Sequence, residues 1–186
     1  MLNDLFSAAV RILAFCDQQG WQSCCIGGIA VQRWGEPRVT RDVDLSLLAG
    51  FGREQEFVDA LLAEYRGRIA DAGAFAFRHR VLLLATAEGV PLDISLGALP
   101  FEKLVIERAS VYSFGAGLGL RTCSAEDLLV MKLFSARPLD LRDAEGIALR
   151  NRAELDWEYV EEQLTPLAEA KEDLGILELL ARLRAS

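Results

Sequence analysis

The chain holds a single histidine, and its four cysteines form no Cys-x-x-Cys pair. That leaves no ligand set in the spacing of a structural zinc clamp. Cys24 and Cys25 are adjacent, so they point to opposite faces of a strand; with Cys16 and Cys123 they read as buried, reduced thiols. Long apolar runs are missing too. "VLLLATA", Val81 to Ala87, is among the longest, and a membrane-spanning helix needs ~20 such residues. The opening "MLNDLFSAAVRILAFCDQQG" has no basic leader with an apolar core and a small-residue cleavage site, so the expectation is a cytoplasmic protein without a signal peptide or membrane partner. Basic residues are in deficit, 20 Lys plus Arg against 28 Asp plus Glu. Such a balance argues against a surface that coats nucleic acid non-specifically, while a local basic cleft or a bound metal still fits. No internal repeat, linker or low-complexity tract is present.

What is present suits one domain, or one domain with a helical appendage, since the chain has 186 residues and 52% of them are apolar. Leu2, Leu5, Ala9, Ile12, Leu13 and Cys16 recur at helical spacing, predicting a helix over 3–19 that Gly20 stops. "WQSCCIG" reads as a short strand, Gly27 and Gly28 end it, and "IAVQRW" makes a turn or two of helix. Residues 41–48 alternate, with Val43, Leu45 and Leu47 on one face and Asp42, Asp44 and Ser46 on the other, as a strand with period two requires. "REQEFVDALLAEYRGRI" reads as a helix, and "FAFRHRVLLLATAEGVPLDISLG" as two strand-like runs around Ala87, Glu88 and Gly89. That reading puts His79 in a strand, as a surface side chain. "PFEKLVIERA" is a short helix and "VYSFGAGLGLRTC" a strand pair. Ser124 opens a helical remainder over 125–136, 139–150, 156–169 and 172–184, with Pro138 starting a new helix. The fold class expected is therefore α+β: a small mixed sheet packed by helices over residues 1–122, followed by a C-terminal helical region over 123–186.

Carboxylates inside apolar strands are costly, because each loses hydration and repels its neighbour. Asp42 and Asp44 project together, and Asp93 lies between Leu92 and Ile94 in a later strand. A divalent cation would account for all three. Mg²⁺ takes carboxylate oxygens and leaves its other positions to water and phosphates, and two such ions can serve both the attacking and the leaving oxygen of a displacement. Gly27 and Gly28, without side chains, would let backbone N–H groups approach a triphosphate where a helix begins. Each signal also has a plainer reading. An Asp-x-Asp strand can be merely wet on one face, a glycine pair is commonly a turn, and Asp93 can mark a strand end. Lys132 can be a solvated helix residue, and Asp140 can pair with Arg137. Arg38 and Arg41 can meet phosphate or neutralise neighbouring acids.

"GG" at 27–28 followed by "PRVTRDVDL" at 37–45 resembles the signature of the DNA polymerase β-like nucleotidyltransferase superfamily, and more narrowly its AbiEii/AbiGii toxin-like branch, whose shared stretch is "GG.A....G..R.T.D.D". "AEDLLVMKLFSARPLDLRDAEGI" at 125–147 is similar to that branch's second block. The resemblance covers roughly 26–149. It implies a nucleotidyltransferase fold and transfer of a nucleoside monophosphate from a nucleoside triphosphate such as ATP or GTP to an acceptor hydroxyl. It implies Asp42, Asp44 and Asp93 as metal-binding and catalytic acids, with two Mg²⁺ ions or Mn²⁺ in their stead. Gly27, Gly28, Arg38, Thr40, Arg41, Lys132 and Asp140 are then the nucleotide-binding set, with Lys132 meeting the triphosphate. The commonest turn of the superfamily is Gly-Ser, and Gly28 replaces that serine. For partners the resemblance implies a tRNA or protein acceptor and a cognate antitoxin, with a homo-oligomer as an open possibility. Two alternatives stand beside it: a small-molecule nucleotidyltransferase of the aminoglycoside type, and a non-catalytic subunit on the same fold.

Overall fold

The computed structural model describes residues 2–115 and 117–185. In chain order they form α1 (Leu2–Gln18), β1 (Ser23–Cys25), α2 (Gly27–Trp34), β2 (Val43–Leu48), α3 (Glu54–Glu64), β3 (Arg66–Gly67), α4 (Ala72–His79), β4 (Val81–Ala85) and β5 (Pro91–Gly97). Then follow α5 (Pro100–Glu107), β6 (Ser110–Ser113), β7 (Gly119–Thr122), α6 (Ala125–Ser135), α7 (Pro138–Asn151), α8 (Trp157–Ala170) and α9 (Gly175–Ala185). The chain divides into two compact units. The first contains residues 1–29 and 39–123, the second residues 30–38 and 124–186.

The first unit is built on a mixed seven-stranded sheet in the order β3-β4-β5-β2-β1-β7-β6. β2 runs parallel to β5 and antiparallel to β1, so the strand that carries Asp44 is paired on both sides. One face of the sheet is apolar. Val43, Leu45, Leu47, Leu82, Leu84, Leu92 and Ile94 are fully buried there, in one cluster with Leu5, Ala9, Ile12, Leu13 and Cys16 of α1 and with Phe57, Val58, Leu61, Ala72 and Ala76 of α3 and α4. The predicted stripe of α1 is thus its core face; the side chain of Leu2 lies outside the described residues. α5 packs on β2, and the Val105 carbonyl lies 3.9 Å from Cys24 Sγ, which covers the far end of the opposite face. The Asp44 end of that face stays half-exposed.

Two local expectations are corrected. The strand expected from Phe75 onward is the helix α4, and strand structure begins only at Val81. The alternation of Phe75, Phe77 and His79 favours a strand, and in the helix that forms instead Phe77 is left exposed. The decision falls to Asp71, whose carboxylate caps the Ala74 N–H at 3.2 Å, and to the alanines Ala72, Ala74 and Ala76, strong helix formers of which Ala72 and Ala76 enter the core. His79 ends that helix, exposed and stacked 4.3 Å from Phe75. The helix expected to continue to Ile69 stops at Glu64, and Arg66–Gly67 instead pair with Ala85 and Leu84 as the edge strand β3.

The second unit joins α6–α9 to residues 30–38. Ser124 caps α6 by accepting from the Asp127 N–H at 3.1 Å, and Pro138 opens α7 with Arg137 at its N-cap. Arg150 donates to the Gly35 carbonyl, and Asn151 Nδ2 to the Trp34 carbonyl at 2.7 Å, so α7 holds the 30–38 segment by its backbone. Among the described residues no helix is long and apolar enough to cross a membrane.

Candidate active site

Asp44 and Asp93 are direct register partners on the parallel strands β2 and β5. Partners in one row of a sheet project to the same face, so pairing of distant segments brings these two carboxylates side by side. Asp42 stands one residue ahead of the start of β2. Ligand oxygens of Asp42, Asp44 and Asp93 all lie within 4.8 Å of one another, each residue being half-exposed. Three hard oxygen donors converging on one open spot fit a Mg²⁺ or Mn²⁺ ion better than any softer metal. Burial and the nearby Asp42 push the Asp93 carboxyl above its ordinary value, with the Arg68 guanidinium pulling against them.

The glycine pair is packed against these acids. Ile26 donates its N–H to the Asp44 carbonyl at 2.9 Å, and the Gly28 N–H reaches Asp44 Oδ2 at 3.3 Å. Gly27 has φ +55°, and a Cβ placed on it would stand 1.9 Å from Asp44 Oδ2 and 2.5 Å from its Cγ. A Cβ on Gly28 would stand 2.2 Å from the Thr40 hydroxyl and 2.7 Å from Thr40 Cβ. The serine of the commoner turn therefore has no room here, since Thr40 occupies its volume. Thr40 Oγ1 in turn donates to Asp42 Oδ1 at 3.1 Å and so orients the first acid.

Gly27→Ala accordingly strikes the site twice. It costs about 1–2 kcal/mol in the left-handed backbone region, and it forces Asp44 aside. Manganese titrated by electron paramagnetic resonance should show at least about ten-fold weaker binding, a loss of roughly 1.4 kcal/mol. Gly89→Ala is the control: at φ +86° it carries a comparable backbone strain with nothing within 4 Å of the added methyl, and it should leave manganese binding intact.

The remaining predicted residues fall as follows. Arg41 is exposed. Arg38 belongs to the second unit, where it grips Asp143 through Nε at 2.8 Å and Nη2 at 2.9 Å, a two-point guanidinium–carboxylate pair. Lys132 is buried, and its ammonium lies 2.8 Å from both Asp140 and Asp143. Ser135 and Arg137 also donate to Asp140. Burial pushes the Asp140 carboxyl up, but the bonds from Arg137, Lys132 and Ser135 outweigh it and hold it well below the ordinary carboxylate range; Asp143 is lowered against its burial by Arg38 and Lys132 in the same way. The triphosphate role that the resemblance implies for Lys132 would require its ammonium to leave both carboxylates.

Two residues were missed in the sequence. Asp143 could have been found, since it lies one helical turn after Asp140 on the helix that Pro138 opens. Arg68 could not: its guanidinium pairs with Asp93 Oδ1, and only the pairing of the short strand β3 brings it there.

The sequence matches no protein-family model and no curated protein. Solved structures do match. The solution structure of the antibiotic-resistance factor ANT(2'')-Ia is similar over 92% of this chain and 95% of that one, at 19% identity and a TM-score of 0.58. An antigenic nucleotidyltransferase-like protein from Paracoccidioides brasiliensis is similar over 96% and 93%, at 18% identity and a TM-score of 0.54. A complex of ANT(2'')-Ia with adenylyl-2''-tobramycin gives 97% and 97%, at 18% identity and a TM-score of 0.50. At such identities the likeness speaks for architecture, and the architecture is the nucleotidyltransferase fold.

Proposed function

We propose that this chain is a Mg²⁺-dependent nucleotidyltransferase that moves a nucleoside monophosphate from a nucleoside triphosphate to an acceptor hydroxyl. The observation that carries the reading is the cluster of Asp42, Asp44 and Asp93 set against the side-chain-free Gly27–Gly28 turn. Asp42, Asp44 and Asp93 would hold the metal, which when bound supplies positive charge against the triphosphate. The chain's own residues do the rest. Gly27 and Gly28 keep the start of α2 free of side chains so that phosphate can approach its first N–H groups, the Gly28 N–H exchanging Asp44 Oδ2 for a phosphate oxygen, and Thr40 keeps Asp42 in place. Asp93, half-buried beside the metal site, accepts the proton of the acceptor hydroxyl. The hydroxyl oxygen forms a bond to the α-phosphorus while the bond from that phosphorus to the bridging oxygen breaks, and the electron pair leaves on pyrophosphate.

The motif resemblance supports a toxin-like enzyme acting on tRNA or protein, with an antitoxin as partner. The likeness to an antibiotic-resistance factor, and to the same protein in complex with adenylyl-2''-tobramycin, supports a small hydroxylated acceptor. One experiment addresses both. Each α-³²P-labelled nucleoside triphosphate, with Mg²⁺, is incubated with the protein in a bacterial lysate. Label should move into RNA, protein or a small product, and its position on the gel names the acceptor class. Folded protein that moves no label and binds no nucleotide would overturn the reading.

A further inference from the structure

The open face of the sheet continues past the acids in a single row. Asp44 pairs with Asp93, Asp93 with Leu83, and the Leu83 carbonyl accepts from the Arg68 N–H at 2.9 Å. Arg66 precedes Arg68 by two residues and pairs with Ala85, so both arginines stand on the same face as Asp93. The Gly27–Gly28 turn lies at the other end of this row, against Asp44. In a displacement at phosphorus the attacking and leaving oxygens lie roughly in line on opposite sides. Triphosphate at the glycine turn therefore places the acceptor on the far side of Asp93, over Leu83 and Arg68.

That side has a definite chemistry. Leu83 is half-exposed and apolar. The ionisable side chains contributed there by β3 and by the residue after it, Arg66 and Arg68, are both guanidinium groups. Arg68 is paired with Asp93 through Oδ1, and the carboxylate has a second oxygen with which to meet a hydroxyl. Resting on the transferase reading, we infer that the acceptor carries an anionic group, a phosphate ester, next to its attacking hydroxyl, with Arg68 as the residue that recognises it. A polycation would meet two like charges at this edge and lose affinity there. The phosphate can belong to a phosphorylated sugar or to a nucleic-acid end; the chemistry at Arg68 is common to both.

The test uses the full chain. Manganese binding by electron paramagnetic resonance and calorimetry with a non-hydrolysable nucleoside triphosphate analogue come first; failure of the wild type in both removes the transferase reading and this inference with it. In their presence, binding of three probes is measured: ribose 5-phosphate, a short single-stranded RNA with a free 3′ ribose, and tobramycin. A phosphate probe should bind the wild type at least about ten-fold more tightly than tobramycin. Arg68→Gln should lose about ten-fold of that affinity, as expected for a hydrogen bond to a charged group, Arg68→Lys should recover part of it, and Arg66→Gln should lose a few-fold. Manganese and nucleotide should still bind in all three variants. Affinity for ribose 5-phosphate points to a small acceptor and affinity for the RNA alone to a polymer, and either supports the inference. Tobramycin binding as tightly as the phosphate probes, neither phosphate probe binding, or Arg68→Gln leaving their affinity unchanged would each overturn it.

Discussion

Exchanging Asp42 and Asp44 together for asparagine is expected to abolish nucleotidyl transfer, by at least about 10³-fold, while the protein stays folded. The size follows from removing charged groups set where phosphate charge must be balanced, an effect worth about 10²–10³ for a single donor in other sites. The intact fold follows from the same cluster. Three carboxylates within 4.8 Å repel one another when no cation is present, so neutral amides of the same shape relieve that repulsion. The amide replacing the Asp44 carboxylate also keeps an oxygen for the Gly28 N–H, which that carboxylate now accepts. Thermal unfolding should therefore show a midpoint equal to or above that of the wild type. Transfer within ten-fold of wild type in the double variant would sink the proposed chemistry; a lowered midpoint would mean that the acids serve the fold instead.

The second large effect is on stability. Lys132→Met removes the ammonium that stands between Asp140 and Asp143, both nearly inaccessible to solvent. Truncating one partner of a buried ionic network costs about 3–5 kcal/mol, because the charges left behind have no water to turn to. The remaining bonds from Arg38, Arg137 and Ser135 place the expected loss near the lower figure. That is still a large part of the roughly 5–15 kcal/mol that holds a domain together. Urea unfolding at pH 7 should show it as a shifted midpoint. The pH dependence has a definite sign. Both carboxyls are held below their ordinary values in the folded protein, so their contribution in the wild type is complete above the unfolded aspartate value of about 3.9 and declines as pH falls through the folded values. In the variant those values move back toward the ordinary one, so its deficit relative to wild type should be constant from pH 7 to about pH 5 and shrink as pH falls below about 3.9. A folded variant with an unchanged midpoint and weakened triphosphate binding would instead return Lys132 to the nucleotide.

Much of this site was legible because its parts obey local rules. The period-two alternation put Asp44 opposite the apolar face, and the apolar flanks of Asp93 marked a second costly carboxylate. The C-terminal helices were legible from Ser124 and Pro138, where capping and the missing proline N–H set the boundaries. Arg68 was hidden for a physical reason. It follows a strand of two residues, too short for any periodicity, and reaches Asp93 only because β3 pairs with β4 and β4 with β5. Helix α4 was hidden by Phe75 and Phe77, whose spacing of two fits a strand, whereas the core face of the helix is made by Ala72 and Ala76 and its start by the Asp71 cap. The ammonium of Lys132 was read as solvated or phosphate-bound because the helical turn joining Asp140 to Asp143 went unused.

The fit of Thr40 into the place where residue 28 would carry its Cβ ties the two positions together. Neither position is free to change by itself: a serine at 28 collides with Thr40, while a smaller residue at 40 opens a gap and releases Asp42. Gly28→Ser and Thr40→Ala should therefore behave non-additively: each alone disturbs Asp42, while together they make room for the serine. The coupling between the two positions is set by the 2.2 Å between the Thr40 hydroxyl and a Cβ on residue 28.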